Sequence, residues 1–332
     1  MPDTRQKIKR YLKNMPPDVL GVCNIDSIEI LEMTPGAYNL NYHFMINQKD
    51  FIFRINIEQQ SGLTNQIKYE YKILKFLASH SIAPKAYHID DTKNFFNFDI
   101  LIEEFLDGPY LIFEEAQIIE VAKLLVNLHS LALDNMRFIT WEDPLRCTFD
   151  FVKEDLNNYA QKKNSNKTLI NLSNKLMAKS KPLIDAKRNM FRADSLNHTD
   201  MACDNFIKTS EGLRLIDWEK PRVDDCSYDI CCFISEPAQR WCSLKVMNAE
   251  EQNKFFQTYV RISGKNADLL WEKVKIREPL ISLHWILWGA NKLCDLRDRH
   301  TVPELLEVHE KKTARYERIA RPENIEKILD MS

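Results

Sequence analysis

Glycine is scarce in this chain of 332 residues, with only seven present. A phosphate-cradling loop built on repeated glycine, where no Cβ obstructs the approach of backbone N–H groups, must therefore work with little of it. Long apolar runs are also missing. The longest fall far short of the ~20 residues a membrane-spanning helix requires, and Met1–Lys13 is polar, without the apolar centre of a secretory leader. Charge of either sign is not in excess: 46 Lys and Arg stand against 48 Asp and Glu, for a formal net charge of -2. Nothing in that balance draws the chain towards nucleic acid or an anionic membrane. The eight cysteines lack a paired CxxC framework for zinc. Several stand in apolar company, Cys231-Cys232 within Tyr228–Ile234 among them, so reduced, mostly buried thiols in a cytoplasmic protein are expected.

What is present divides into two parts. An amphipathic helix ends at Pro16-Pro17. Strand patterns then cover Ile28–Leu31, Tyr42–Ile46 and Phe51–Ile57, helical spacing covers Asn65–Ser79, and two more strands follow at Tyr87–Asp90 and Phe98–Glu104. Beyond Asp107 the pattern is mainly helical. A β-rich lobe over residues 1–106 and a helical lobe over residues 107–332 make an α+β, two-lobed enzyme the expected class. Lys162–Arg188 holds eight Lys or Arg and one acid, Asp185. With no aromatic residue for base stacking before Phe191, it reads as a solvated basic helical hairpin and not as a nucleic-acid surface. Pro303–Ser332 reads as one charged helix.

The most informative stretch runs from His198-Thr199-Asp200 through Asn205 to Leu215-Ile216-Asp217-Trp218-Glu219. Short apolar strands, Phe206-Ile207 and Leu213–Ile216, flank a turn at Glu211-Gly212. Phosphoryl transfer needs one carboxylate facing an attacking hydroxyl and two oxygen ligands for magnesium on the nucleotide phosphates. Asp200 suits the first role, Asn205 and Asp217 the second, and His198 would brace the loop.

With its β-rich upstream region, this set resembles the aminoglycoside phosphotransferase and choline/ethanolamine kinase superfamily, over nearly the whole chain. The resemblance implies a protein-kinase-like fold, with a small antiparallel-sheet N-lobe and a larger, mainly helical C-lobe. It implies ATP (or GTP) and Mg2+ as cofactors and a small hydroxylated substrate, with neither nucleic acid nor membrane as partner. Pro35–Tyr42, with Gly36 and Asn39, resembles the phosphate-covering loop. Arg54 stands where kinases place the lysine that grips the α- and β-phosphates, an arginine as in choline-kinase-like members, and Glu70 is its natural partner. Ile102–Gly108 resembles the hinge, where backbone groups around Glu103–Phe105 would meet the adenine edge. Asp229, in Tyr228-Asp229-Ile230, would bond backbone N–H groups of the catalytic loop.

Substrate choice rests on the later helices. Trp285 and Trp288 share a face if their segment is helical, and indole faces attract quaternary ammonium groups. With Glu236 and Trp241 they resemble the choline-binding box of choline kinases, which favours choline or a related amino alcohol as acceptor. Two tryptophans at that spacing are more often a matter of core packing. Asp224, Asp225 and Glu236 could instead line an acidic pocket for an aminoglycoside or amino sugar, and a catalytically silent kinase-like binding module is a third reading. Oligomeric state is not legible from the residues.

Overall fold

The structure is a computed structural model and describes residues 2–60, 63, 65–133 and 137–331. The chain forms two compact units. The first comprises Met1–Gly108 with Arg214–Lys220 and Val302–Val308, and the second comprises the remainder.

In chain order the first unit begins with α1 (Pro2–Lys13), β1 (Ile28–Pro35), β2 (Asn39–Ile46), β3 (Lys49–Asn56), α2 (Gln66–Leu77), β4 (Ala86–Asp90) and β5 (Asp99–Glu104). The strands form one antiparallel sheet in the order β1-β2-β3-β5-β4. Successive side chains in a strand point to opposite faces. In β3 this sends Phe51, Phe53 and Ile55 to one face and Ile52, Arg54 and Asn56 to the other. The phenylalanine face packs with Tyr42, Phe44 and Ile102 against Ile8 and Leu12 of α1, four residues apart on one helical stripe. Burying such a side chain is worth roughly 1.5–3 kcal/mol, so this layer holds the strand whose other face carries the arginine. Asn65 caps α2 by accepting the Lys68 N–H at 3.0 Å. Spacing by three and four buries Ile67, Glu70, Ile73, Leu74 and Leu77 of that helix.

The second unit holds α3 (Glu115–His129), α4 (Pro144–Ala160), α5 (Lys167–Lys187), β6 (Ser195–Asn197), β7 (Phe206–Thr209), β8 (Gly212–Leu215) and β9 (Arg222–Asp224). These are followed by α6 (Ser227–Ile234), α7 (Glu236–Cys242), α8 (Ala249–Ser263), α9 (Ala267–Arg297), α10 (Pro303–Ile319) and α11 (Pro322–Met331). The chain passes into the first unit at Arg214, within β8, and again over the first turn of α10. β6 pairs with β9, and β7 pairs with β8 about a turn at Ser210-Glu211, one residue before the expected position. Helices α4, α5, α9 and α11 share one apolar core that includes Phe149, Val152, Leu176, Leu283 and Ile328.

Three expectations need correction. The basic segment is not a hairpin but one helix of 21 residues, α5, because Leu169, Leu176, Met177 and Ile184 recur at helical spacing and pack inward. The C-terminal stretch is two helices, broken where Pro322 opens α11. The cysteines are not all reduced: Cys203 and Cys242 are disulfide-bonded, while the other six are free. Among the described residues no helix is long and apolar enough to cross a membrane.

Candidate active site

The first unit gathers its charged side chains around Arg54. This residue is 2 % exposed, and an unpaired cation in that setting would be costly. Its Nη1 lies 2.8 Å from Glu70 Oε1 and 2.7 Å from Asp217 Oδ1, and its Nη2 lies 3.2 Å from Glu103 Oε1. Glu219 stands further off, at 3.8 Å. Asn39 and Gln60 both donate to the Glu219 carboxylate, and Asn39 accepts from Asn56 at 2.8 Å. Four carboxylates thus face one guanidinium. Burial pushes the Glu70 carboxyl up to about 8 against the lowering pull of Arg54. It raises Glu103 and Glu219 as well, with Asp217 adding to the effect on both. Arg54 Nε, Glu70 Oε2 and Glu103 Oε2 are buried without a hydrogen-bond partner.

Asp217 has a positive φ of 68°, a left-handed conformation that non-glycine residues seldom adopt outside functional sites. The turn is held on both sides. Leu215 N–H donates to the Ile82 carbonyl at 2.8 Å, and the buried Trp218 indole donates back to the Leu215 carbonyl at 2.8 Å. Gly36 N–H donates to the Asn39 carbonyl at 2.9 Å and closes the turn between β1 and β2. At the expected hinge, the Glu103 carboxylate turns towards Arg54, the Glu104 N–H is used by the Lys85 carbonyl at 2.8 Å, and Phe105 stacks on His43 at 3.8 Å.

In the second unit Asp229, fully buried at the start of α6, organises the loop that carries Asp200. Its two oxygens accept the backbone N–H groups of His198 and Thr199, each at 2.8 Å. His129 approaches the same carboxylate at 3.2 Å and is itself held by Tyr259 at 2.9 Å. Thr199 has a positive φ of 75°, and the two bonds to Asp229, from its own N–H and that of His198, hold the turn. The ring of His198 accepts the Asp200 N–H at 3.3 Å, and the Asn205 side chain donates to the Asp200 carbonyl at 3.1 Å. Asp200 Oδ1 is buried without a hydrogen-bond partner.

The aromatic residues of the later helices meet as a group. Trp241 lies 4.9 Å from Trp288 and 5.2 Å from Tyr316, ring centre to ring centre, and Trp285 lies 5.5 Å from Trp288. Trp241 and Trp285 are buried, at 6 and 7 % exposure, and Tyr316 is fully buried. The disulfide joins this group to the loop that carries Asp200: Cys203 lies two residues before Asn205, and Cys242 directly follows Trp241. Glu236 does not belong with the rings. Its carboxylate is held by Arg240 at 2.7 Å and Lys327 at 3.2 Å, and it lines a groove of about 590 Å³ with Trp271 and Glu278. Asp224 is bound to the fully buried Arg277 at 2.6 Å, and Asp225 to Lys273 at 2.6 Å. Those ion pairs remove both aspartates from any acidic acceptor pocket.

Four further residues have no clear mark in the sequence. Glu219 and Asp204 are acids beside stronger motif positions, and Arg315 and Tyr316 lie in a helix with no local signature. Among the described residues no group of three or more His, Cys, Asp or Glu side chains could hold a metal by itself. Oxygen donors in ones and twos still fit magnesium, which keeps several waters and binds through substrate phosphates.

The choline/ethanolamine kinase family model matches residues 30–307. Among solved structures the chain is similar to a choline kinase from Cryptosporidium parvum, at 19% identity over 99% of this chain and 97% of that one, with a TM-score of 0.64. An ethanolamine kinase from Plasmodium vivax is 20% identical over 89% of this chain and 84% of that one, with a TM-score of 0.61. An ADP-bound aminoglycoside phosphotransferase is 15% identical over 96% of this chain and 98% of that one, with a TM-score of 0.58. At such identities these likenesses show the protein-kinase-like fold. No curated protein matches the chain. With its family model covering most of the sequence, the chain belongs to the choline/ethanolamine kinase family, phosphotransferases that act on a hydroxyl group.

Proposed function

We propose that this kinase transfers the terminal phosphoryl group of ATP to the hydroxyl of a small cationic acceptor, choline or a related amino alcohol. The observation that carries the reading is the pair of Trp241 and Trp288, backed by Tyr316 and joined by the Cys203–Cys242 bond to the loop of Asp200. Indole and phenol faces attract ammonium groups through their quadrupoles. The competing acidic pocket loses its support, because Asp224, Asp225 and Glu236 are all committed to ion pairs.

Asp200 accepts or orients the proton of the attacking hydroxyl, with one buried oxygen not engaged by any donor. Asp229, His198 and Asn205 keep its backbone in place, which suits chemistry that depends mostly on positioning. Arg54 meets the α- and β-phosphates as a permanent charge, since arginine does not release its proton. Its surrounding carboxylates prevent it from drifting. The Gly36–Asn39 turn covers the phosphates, and the chain around Glu103–Phe105 meets the base. Asn205 and Asp217 supply oxygen to magnesium, which when bound neutralises charge developing on the phosphates.

A coupled ADP-release assay with choline, ethanolamine, an amino sugar and an aminoglycoside, with ATP or GTP as donor, tests the reading. Choline-dependent turnover that falls about a hundredfold or more in Asp200→Ala is expected. Turnover only with the aminoglycoside, or unaltered turnover in the variant, would discard it.

A further inference from the structure

We propose that Arg315 occupies the cation position on Trp241 and is displaced by a cationic acceptor, so that this one side chain sets acceptor affinity. The inference rests on the proposed cationic acceptor and identifies what that acceptor must compete with. The Arg315 guanidinium carbon lies 5.4 Å from the centre of the Trp241 ring, and Lys312 Nζ lies 5.8 Å from the same centre. Both distances fall within the ~6 Å over which a ring face attracts a cation. Arg315 Nη1 also lies 3.3 Å from Asp204 Oδ2. Asp204 directly precedes Asn205 and is close enough to Asp200 for their charges to interact.

The contacts are those an ammonium headgroup would make, an aromatic face and a carboxylate beside the acceptor hydroxyl. α10 presents the arginine there because Arg318, one turn on, donates to the carbonyls of Arg240 and Ser243 at 3.0 and 3.4 Å. Arg277 shows the contrast: its side chain is 0 % exposed and locked, whereas that of Arg315 is 41 % exposed. Arg315 can therefore swing into water with little loss of hydration. A ligand whose site is open for only a fraction of the time binds more weakly by that fraction.

Titration of the parent, Arg315→Ala, Arg315→Gln and Arg315→Lys with tetramethylammonium chloride and with choline, followed through the N-methyl proton resonance, tests the assignment. The Ala and Gln variants should bind both cations about tenfold more tightly than the parent, and Lys should restore the parent value. Gln keeps the aliphatic stem, so it reports should Ala disturb the helix. Unchanged, weaker or undetectable binding in variants that retain their circular dichroism overturns the proposal. Choline-dependent ADP release by the parent is a separate readout. Tightened ammonium binding without such turnover would remove choline as acceptor and leave the Arg315 assignment standing.

Discussion

Arg54 Nη1 and Asp217 Oδ1 lie 2.7 Å apart across 163 residues of chain. One is the phosphate-gripping candidate and the other the metal-ligand candidate, so each fixes the other's orientation. Glu70 and Glu103 complete the arrangement and leave the guanidinium no room to reorient.

Arg54→Lys tests whether fork geometry or charge alone is required. Lysine keeps the charge but cannot reach several carboxylates at once. The variant should fold, lose about 1–3 kcal/mol in urea unfolding, and raise the KM for ATP more than the KM for the acceptor. Equal KM changes for both substrates would count against a phosphate role.

Glu70 makes a pH prediction whose sign can be worked out. Its folded carboxyl is pushed up to about 8, against about 4.3 for an unperturbed glutamate. Between those values the folded chain holds a proton that the unfolded chain has lost. The contribution is fully present below about pH 4 and is lost as pH rises through about 8. The parent should therefore lose stability from pH 5 to pH 8, and Glu70→Gln should lose less by about 1 kcal/mol or more. Urea midpoints at three pH values decide it, and parallel curves for the two proteins would show that the group does not titrate there.

Cys242→Ser removes a link that closes a separation of 39 residues. Loop entropy places the stabilisation at about 3–4 kcal/mol. The variant should unfold at correspondingly lower denaturant, and a reducing agent should lower the midpoint of the parent but not of the variant. Because the link joins the Asn205 loop to Trp241, the KM for the acceptor should also rise.

Gly289→Ala separates close packing from helix propensity. Alanine is favoured over glycine by about 1 kcal/mol within a helix. A Cβ at this point of α9, however, would lie 2.6 Å from Ile319 Cγ1 and 2.7 Å from Cδ1 of α10. Ile319 is fully buried and cannot move aside, so net destabilisation of about 1–3 kcal/mol is expected from thermal unfolding. If the helix as a whole gives way to the added Cβ, Arg315 and Tyr316 move with α10, and ammonium binding should change.

Several parts of the site could be read from local pattern because they depend on local pattern. Alternation in Phe51–Ile55 turns Arg54 away from the phenylalanines. The spacing from His198 to Asp200 to Asn205 sets a turn whose side chains act within a few residues of one another. Asp229 was legible only through the family resemblance, because the N–H groups it accepts, of His198 and Thr199, lie some thirty positions earlier. The fate of the remaining acids was not. Asp224 and Asp225 look as available as Asp217 in the sequence, yet Arg277 and Lys273, some fifty positions further along, consume them.

The residue order by itself determined the β-rich and helical parts, the oxygen-bearing motif and the aromatic pair on one helix, because periodicity and short-range hydrogen bonding act over a turn or two. Only the tertiary structure decided that Glu103, Asp217 and Glu219 join Glu70 around Arg54, that Cys203 meets Cys242, that Glu236 faces a separate groove, and that Arg315 lies over Trp241. Charge pairing and disulfide closure depend on distance in space, and packing brings together side chains that the sequence leaves far apart.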